Sequence, residues 1–405
     1  MIKRIEKSEA DGIINAPTSK SAAHRLLICA SMCKGTSHID NLPLCEDVLA
    51  TIDCLRELGV SIELDGKSAT VHGIDFTKAA PTNPLNCRES GSSLRFLIPI
   101  AMLSGKEVRF TGSEKLLSRP MTVYENLAKE YQLSFKKNDG IISVCGPLTA
   151  GEYCINGGVS SQFITGMFLA LSQLNANSKI IVKGQIESRP YVDLTMSIMA
   201  KMGVSVYQNT ESSFLISGGQ EYQAKKLSVE GDWSNAAFLG ALDLFSRGGY
   251  VSINLLDENS AQGDKLYREY FAMLEQGYAE IDITSCPDLG PILFTVAAAK
   301  QGGKFIGTKR LKDKESDRIA AMEQELSKFG AELIIEENSV IVKNTTLHAP
   351  SERLYGHNDH RVVMSLAVLC TIFGGEIDGC EAVNKSYPDF FRDIKILGIN
   401  HYEIN

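Results

Sequence analysis

Leu55-Arg56-Glu57-Leu58-Gly59-Val60 returns as Met199-Ala200-Lys201-Met202-Gly203-Val204, and once more as Leu326-Ser327-Lys328-Phe329-Gly330-Ala331. In each stretch a helical pattern runs into a Gly, and an alternating strand, a polar turn and a second strand follow. The pattern is read six times, at Gly59, Gln132 (standing where the Gly would be), Gly203, Gly277, Gly330 and Gly398, with successive gaps of 73, 71, 74, 53 and 68 residues. An internal repeat of that length sets the architecture before any motif is considered.

The segments between the marks are consistent with one another. Residues 21–34 and 45–58 read as helices, and residues 61–72 as a hairpin turning at Asp65-Gly66. Residues 92–102, 163–174, 236–244, 291–299 and 362–373 are nearly all apolar and are expected to be helices buried on every side. Each unit then supplies one buried helix, one amphipathic helix and a few strands. Three units would wrap their buried helices behind a sheet, and two such sets would make two similar domains. At 405 residues the chain is longer than a single core supports. Crossings between domains are expected at residues 15–18, where Pro17 stops a strand and disfavours helix at Ala16, and at residues 227–232.

A content of 44% hydrophobic and 22% charged residues, with 34 Gly and 12 Pro, fits a soluble α/β or α+β globule. The formal net charge of −8 argues against a general nucleic-acid or membrane-surface partner, so any attraction for anions must be local. The ten Cys contain no Cys-x-x-Cys pair and no zinc-ligand rhythm, and read as reduced, packed thiols. The first residues, Met1-Ile2-Lys3-Arg4-Ile5-Glu6, have no apolar signal region. No stretch approaches about 18 uninterrupted apolar residues. A cytoplasmic location is expected.

Residues with chemistry gather at helix starts. In Ala16-Pro17-Thr18-Ser19-Lys20-Ser21-Ala22-Ala23-His24-Arg25 a strand ends, small hydroxyl residues follow and a helix begins. Free N–H groups and the helix dipole favour an anion there, and Lys20 adds a point charge. The segment reads as a phosphate or carboxylate cradle, or as an ordinary N-cap followed by a surface Arg. Gly91, within Arg88-Glu89-Ser90-Gly91-Ser92-Ser93-Leu94-Arg95, lets a ligand approach the backbone ahead of a buried helix, or makes a tight turn. Arg119-Pro120-Met121 puts an Arg at another helix start or in a solvated loop. Ser160-Ser161-Gln162-Phe163 offers two hydroxyls and an amide to a ligand or to a cap, and Ser188-Arg189-Pro190-Tyr191 adds a Tyr hydroxyl. Asp288, between Pro287 and Pro291, is a cap or a general base. Lys314, Glu315 and Arg318 fall three and four apart and are expected on one helical face. They make either a carboxylate held among cations for proton transfer or a solvated ion-pair face. Asn358-Asp359-His360-Arg361 and Lys385-Ser386-Tyr387-Pro388-Asp389 complete the set. One substrate-sized cleft between two domains would explain such motifs in both halves.

Taken in order, Ser19-Lys20-Ser21 with Arg25, Ser160-Ser161-Gln162-Phe163, Lys314-Glu315-Ser316-Asp317-Arg318, Asn358-Asp359-His360-Arg361 and Lys385 before Tyr387-Pro388-Asp389 resemble the 5-enolpyruvylshikimate-3-phosphate synthase (3-phosphoshikimate 1-carboxyvinyltransferase) family. The resemblance runs from Lys20 to Asp389. It implies an α/β (α+β) fold, the inside-out α/β barrel: two similar domains, each of three βαβαββ repeats around buried helices. Residues 1–17 with 228–405 would form one domain and 18–227 the other, with the active site in the cleft between them. The implied reaction moves the enolpyruvyl group of phosphoenolpyruvate to the 5-hydroxyl of shikimate 3-phosphate and releases phosphate, in chorismate and aromatic amino-acid biosynthesis.

By position, the shikimate 3-phosphate contacts would be Lys20, Ser21, Arg25, Ser160, Ser161, Gln162, Ser188, Tyr191, Asp288 and Lys314. The phosphoenolpyruvate contacts would be Lys20, Gly91, Arg119, Gln162, Arg318, Arg361 and Lys385. Asp288 is the expected base on the 5-hydroxyl, and Glu315 the expected proton donor to C3, with Lys20 assisting. The two substrates bring roughly five to six negative charges together, which calls for the cations named. Because a C–O rather than a P–O bond breaks, no cofactor and no metal ion are expected. The partners would be the two small molecules, with no nucleic acid and no membrane, and the chain a monomer.

Departures from the family pattern are Thr18 for Gly, His24 for Asn, Glu89-Ser90-Gly91-Ser92 for Asn-Ala-Gly-Thr, and Arg310 where some members place a ligand-binding Asn. A sister enzyme acting on UDP-N-acetylglucosamine is the nearest rival, but its usual loop Cys has no counterpart between Cys87 and Cys145. An RNA 3′-phosphate cyclase shares related repeats, against which the acidic balance counts. A non-catalytic anion-binding protein of the same fold is the third, against which Asp288 and Glu315 stand beside the full cation set.

Overall fold

The six marks share a positive φ. Gly59 (φ 103°), Gln132 (φ 58°), Gly203 (φ 88°), Gly277 (φ 149°), Gly330 (φ 88°) and Gly398 (φ 90°) all have positive φ just past a helix. A residue of that kind turns the chain off the helix end into the next strand. Gln132 does so with a side chain, at a cost of about 1–2 kcal/mol for the left-handed backbone. The structure, a computed structural model, describes residues 1–158 and 160–404. The chain forms two compact units, residues 18–230 and residues 1–17 with those from Gly231 onward.

In residues 18–230 each repeat closes one four-stranded sheet in the spatial order first, second, fourth, third. Leu85–Asn86 lies parallel to Val108–Thr111, which pairs antiparallel with Ile141–Cys145, itself paired with Ser134–Asn138. The same order holds for Glu152–Asn156, Ser178–Lys183, Ser213–Ile216 and Val206–Thr210. It holds again for Lys226–Ser228, Thr36–Asp40, Ser68–His72 and Ser61–Asp65, whose first strand comes from the far end of the unit.

The other unit repeats the scheme with Ala279–Asp282, Gly303–Ile306, Ser339–Val342 and Leu333–Ile335. Its last sheet takes Leu354–Tyr355, Gly375–Asp378 and His401–Ile404, and borrows its fourth strand, Ile2–Ile5, from the N-terminus. The fourth repeat corrects the sequence reading. Among the described residues its sheet holds only Gly12–Asn15 and Val251–Asn254. After Gly277 the chain enters Ala279–Asp282, already the first strand of the next sheet, so the expected hairpin is absent and the gap of 53 residues is that omission.

Six helices carry the cores: Lys20–Ser31, Gly91–Ala101 and Ser161–Leu171 in one unit, and Trp233–Phe245, Gly290–Ala299 and His360–Phe373 in the other. Their apolar residues are buried on nearly every side, so burial rather than propensity holds them. Gly166 sets how closely two of them cross: a Cβ there would meet the Tyr124 hydroxyl at 2.5 Å and the Arg95 carbonyl at 2.6 Å. That close crossing brings the starts of Gly91–Ala101 and Ser161–Leu171 together. The ten thiols are all free, eight of them buried, as the Cys spacing implied.

Candidate functional site

In residues 18–230 the expected residues stand at helix starts. Ser19 caps Lys20–Ser31 by accepting from the Ala22 N–H at 3.3 Å. Lys20 Nζ donates to Asp47 Oδ2 at 2.9 Å, in a pair that is largely buried. Arg25 is fully engaged with the protein. Its Nε donates to Thr195 Oγ1 (2.8 Å), Nη1 to the Ser21 carbonyl (2.7 Å) and Nη2 to the Tyr191 carbonyl (3.1 Å). Burial pulls it down to about 10, with Tyr191 opposing. Arg25 therefore ties the helices behind Ser21 and Tyr191 together as much as it faces a ligand. Ser160 caps Ser161–Leu171, accepting from the Gln162 N–H at 3.3 Å. Ser188 opens Arg189–Lys201 in a left-handed conformation, and its side chain makes no cap bond.

Gly91 is the meeting point of this half. A Cβ there would lie 2.9 Å from Arg119 Nη1, 3.6 Å from Arg95 Nη1 and 3.7 Å from Gln162 Oε1. Arg95 Nη1 donates to Gln162 Oε1 at 2.6 Å, and Gln162 Nε2 donates to Ser92 Oγ at 3.0 Å. Arg119 is buried, and its Nε has no hydrogen-bond partner among the described residues. Two guanidinium groups and an amide thus converge on a backbone with no side chain in the way, a surface that suits a small anion. The sequence reading missed Arg95 and Asp47 as site residues. A lone cation one turn beyond Gly91 in an otherwise apolar helix was the available signal for Arg95; nothing local marked Asp47.

The other unit gathers its residues around Arg318, which is 1% exposed. Its Nη1 donates to Asp288 Oδ1 (2.8 Å), its Nη2 to Glu315 Oε2 (2.7 Å) and its Nε to Asp359 Oδ2 (2.8 Å). Lys314 Nζ also reaches Asp288 Oδ1 at 3.1 Å. Arg361 Nη2 lies 3.4 Å from Asp288 Oδ2 and its Nη1 donates to the Asp288 carbonyl. Lys385 Nζ donates to the Asn358 carbonyl at 2.6 Å. Three cations, Lys314, Arg318 and Arg361, therefore balance three carboxylates, Asp288, Glu315 and Asp359. An incoming anion must take over donors that already have partners.

One expectation about this cluster is corrected. Lys314, Glu315 and Arg318 do not share a helical face, because the helix Arg318–Ser327 starts at Arg318 itself. Asp317 caps it, accepting from the Ile319 and Ala320 N–H groups at 3.1 Å each, and a bend precedes the cap. The bend, rather than helical spacing, folds Glu315 back onto Arg318. Asp359, also missed, caps His360–Phe373 through the Arg361 N–H and orients both Arg residues.

Electrostatics set the state of each group. Burial would raise Asp288, but Arg361, Lys314 and Arg318 together outweigh it and hold the carboxyl well below the usual range. Lys314 is pulled down to about 8, first by burial and then by Arg310 and Arg318, with Asp288 opposing. Asp359 is lowered against its burial by Arg318. Asp288 is thus held ionised, and the Lys314 ammonium beside it gives up its proton more easily than an exposed lysine would.

The chain matches a family model described as EPSP synthase (3-phosphoshikimate 1-carboxyvinyltransferase) over residues 5–394. It is 39% identical to the 3-phosphoshikimate 1-carboxyvinyltransferase of Clostridium novyi strain NT over 425 residues, covering 98% of this chain and 97% of that one. Against its counterpart in Clostridium kluyveri the identity is 36% over 420 residues, covering 97% and 96%. Among solved structures, EPSP synthase from Acinetobacter baumannii superposes with a TM-score of 0.81 at 23% identity, over 99% of this chain and 100% of that one. The enolpyruvyl transferase NikO from Streptomyces tendae superposes with a TM-score of 0.79 at 12% identity, over 99% and 98%. These two show the shared fold, with its inside-out α/β arrangement in two domains.

Proposed function

This chain belongs to the EPSP synthase (3-phosphoshikimate 1-carboxyvinyltransferase) family, and from that premise we propose how its residues divide the reaction. The protein transfers the enolpyruvyl group of phosphoenolpyruvate to the 5-hydroxyl of shikimate 3-phosphate and releases phosphate, a step of the shikimate pathway toward aromatic amino acids.

The two clusters, one in each unit, serve one pair of substrates. Lys20, Ser21, Arg25, Ser160, Ser161, Gln162, Ser188 and Tyr191 receive shikimate 3-phosphate, with Asp288 and Lys314 reaching its ring hydroxyl. Lys20, Gly91, Arg119, Gln162, Arg318, Arg361 and Lys385 receive phosphoenolpyruvate. Asp288 takes the 5-hydroxyl proton as the oxygen attacks C2. Glu315, with Lys20 assisting, gives a proton to C3, and the tetrahedral adduct forms. Loss of a proton from C3 and cleavage of the C–O bond then release phosphate.

The arrangement of Arg318 supports the switch this requires. Its guanidinium is shared among Asp288, Glu315 and Asp359. A substrate carboxylate that claims Arg318 and Arg361 relieves Asp288 of two of the charges that depress its basicity. Glu315, freed from Arg318, can then hold the proton it must deliver. The observation carrying this assignment is that both carboxylates share one buried guanidinium beside Lys314. Among the described residues no helix is long and apolar enough to cross a membrane. We place the protein in the cytoplasm.

Phosphate release from phosphoenolpyruvate in EDTA tests the reading. It should need shikimate 3-phosphate. Release with UDP-N-acetylglucosamine instead would assign the chain to the sister reaction, and tight binding without turnover of either would make it a binding protein.

A further inference from the structure

His24 stands where the family pattern has Asn, and it is wholly buried on the helix Lys20–Ser31. Its ring packs edge-on to Phe96 of the helix Gly91–Ala101, with centroids 6.5 Å apart. Its Nδ1 lies 2.7 Å from Thr51 Oγ1, on the helix Glu46–Glu57. Thr51 Oγ1 lies 2.6 Å from Ser93 Oγ, and Ser93 Oγ lies 2.7 Å from Ser90 Oγ. Ser90 caps Gly91–Ala101, accepting from the Ser93 N–H at 3.2 Å. Thr51, Ser90 and Ser93 are as deeply buried as His24.

We propose that His24 is a positioning residue for phosphoenolpyruvate: through Thr51 and Ser93 it fixes the Ser90 cap, and with it the first turn at Gly91, on which Arg119 and Gln162 converge. The inference rests on the division of substrates proposed above.

The imidazole sets the direction of this row of hydrogen bonds. A Ser or Thr hydroxyl both donates and accepts, and turns to suit its neighbours, whereas each nitrogen of a neutral imidazole does only one. His24 Nε2 has no hydrogen-bond partner among the described residues. A hydrogen there would be a buried donor with nothing to receive it, a state rarer in folded proteins than an unpaired acceptor. Burial, reinforced by Lys20 and Arg25, also holds His24 well below its ordinary value, so the ring stays neutral. The proton therefore sits on Nδ1. From there Nδ1–H donates to Thr51, the Thr51 hydroxyl to Ser93 and the Ser93 hydroxyl to Ser90. Without Thr51 Oγ1 the Ser93 hydroxyl is free to turn to a longer alternative, the Asp47 carbonyl at 3.4 Å, and the cap loses its support. The start of Lys20–Ser31 does not depend on the row, since Ser19 caps it and Arg25 is held by Thr195 and the Tyr191 carbonyl. The effect is thus confined to the phosphoenolpyruvate side.

Two measurements test this. In protein isotopically labelled at the histidine ring nitrogens, the His24 resonances, identified by their loss in His24→Leu, should show the Nδ1–H tautomer at neutral pH. The Nε2–H tautomer or an imidazolium would overturn the row, whatever the substrates prove to be. In steady-state kinetics Thr51→Val should raise the KM for phosphoenolpyruvate about five- to tenfold, with the KM for shikimate 3-phosphate changed less than about twofold. Thr51→Ser keeps the hydroxyl and should restore the wild-type value. His24→Leu combined with Thr51→Val should be no worse than Thr51→Val alone, because the row is broken only once. Equal rises in both KM values, summed effects in the double variant, or a folded Thr51→Val protein with the wild-type KM for phosphoenolpyruvate would overturn the role of His24. Without wild-type turnover of phosphoenolpyruvate the kinetic role falls with the reaction it serves, whereas the tautomer changes only if the row itself is wrong.

Discussion

Arg318 is the residue around which the carboxylates of its unit gather, and its partners show which side-chain roles a sequence reveals. Lys314, Glu315, Arg318 and Arg361 were legible because each belongs to a dense charged motif next to a helix start. Asp47 was not, because a carboxylate that neutralises a distant Lys is chosen by tertiary contact; Asp359 lay in a motif that stood out, but its pairing with Arg318 was not readable for the same reason. Arg25 was legible as a cation but not as a brace, since Thr195 and Tyr191 lie far along the chain. Lys314 gives the pH prediction. Burial pulls its ammonium down to about 8, and in the proposed reaction the charged form is the one that attracts shikimate 3-phosphate. The second-order rate constant for that substrate should therefore be level below the pKa and fall as pH rises through it, by up to tenfold per pH unit. Lys314→Arg stays cationic and should move this limb to higher pH. A wild-type profile flat to pH 10 would remove Lys314 from the binding step.

Elements carry the site through their ends. Gly91 opens a helix under Arg119, so Gly91→Ala should push the Arg119 guanidinium aside and raise the KM for phosphoenolpyruvate on the order of tenfold. The KM for shikimate 3-phosphate should change little, and steady-state kinetics with each substrate varied separates the two. In the other unit, Glu325 on the helix Arg318–Ser327 is wholly buried. It accepts from Lys328 Nζ and the Tyr355 N–H at 2.9 Å and meets His357 Nε2 at 2.9 Å. These contacts clamp the loop that ends in Asp359. Glu325→Gln keeps the shape but loses the charge, and should cost about 1–3 kcal/mol in a urea unfolding titration. The helices and hairpins could be read from periodicity because each needs only local pattern. The two errors, a helical face through Lys314 and a hairpin after Gly277, arose where a cap or an omission interrupts that pattern.

The whole molecule shows why a chain of net charge −8 can take two anionic substrates. In residues 18–230 Lys20 pairs with Asp47, while Arg25 and Arg95 donate to neutral groups, Thr195, two carbonyls and Gln162; in the other unit Arg318 is shared among Asp288, Glu315 and Asp359. Binding is thus local electrostatics in an acidic molecule, and the repeat is what carries the cations to helix starts in each unit. The repeat itself was plain in the sequence, since a residue of positive φ returns in each unit where the chain leaves a helix for the next strand. The strand exchange was plain only in part: the sequence marked Pro17 and the 227–232 segment, but not that Ile2–Ile5 and Gly12–Asn15 would complete two different sheets.

In the proposed reaction Asp288 and Glu315 move the protons of enolpyruvyl transfer. Rapid quench of excess enzyme with both substrates, comparing the wild type with Asp288→Asn and Glu315→Gln, measures that step directly. Both variants should still bind shikimate 3-phosphate while product forms about 10²–10⁴-fold more slowly. Either variant forming product at the wild-type rate would contradict it.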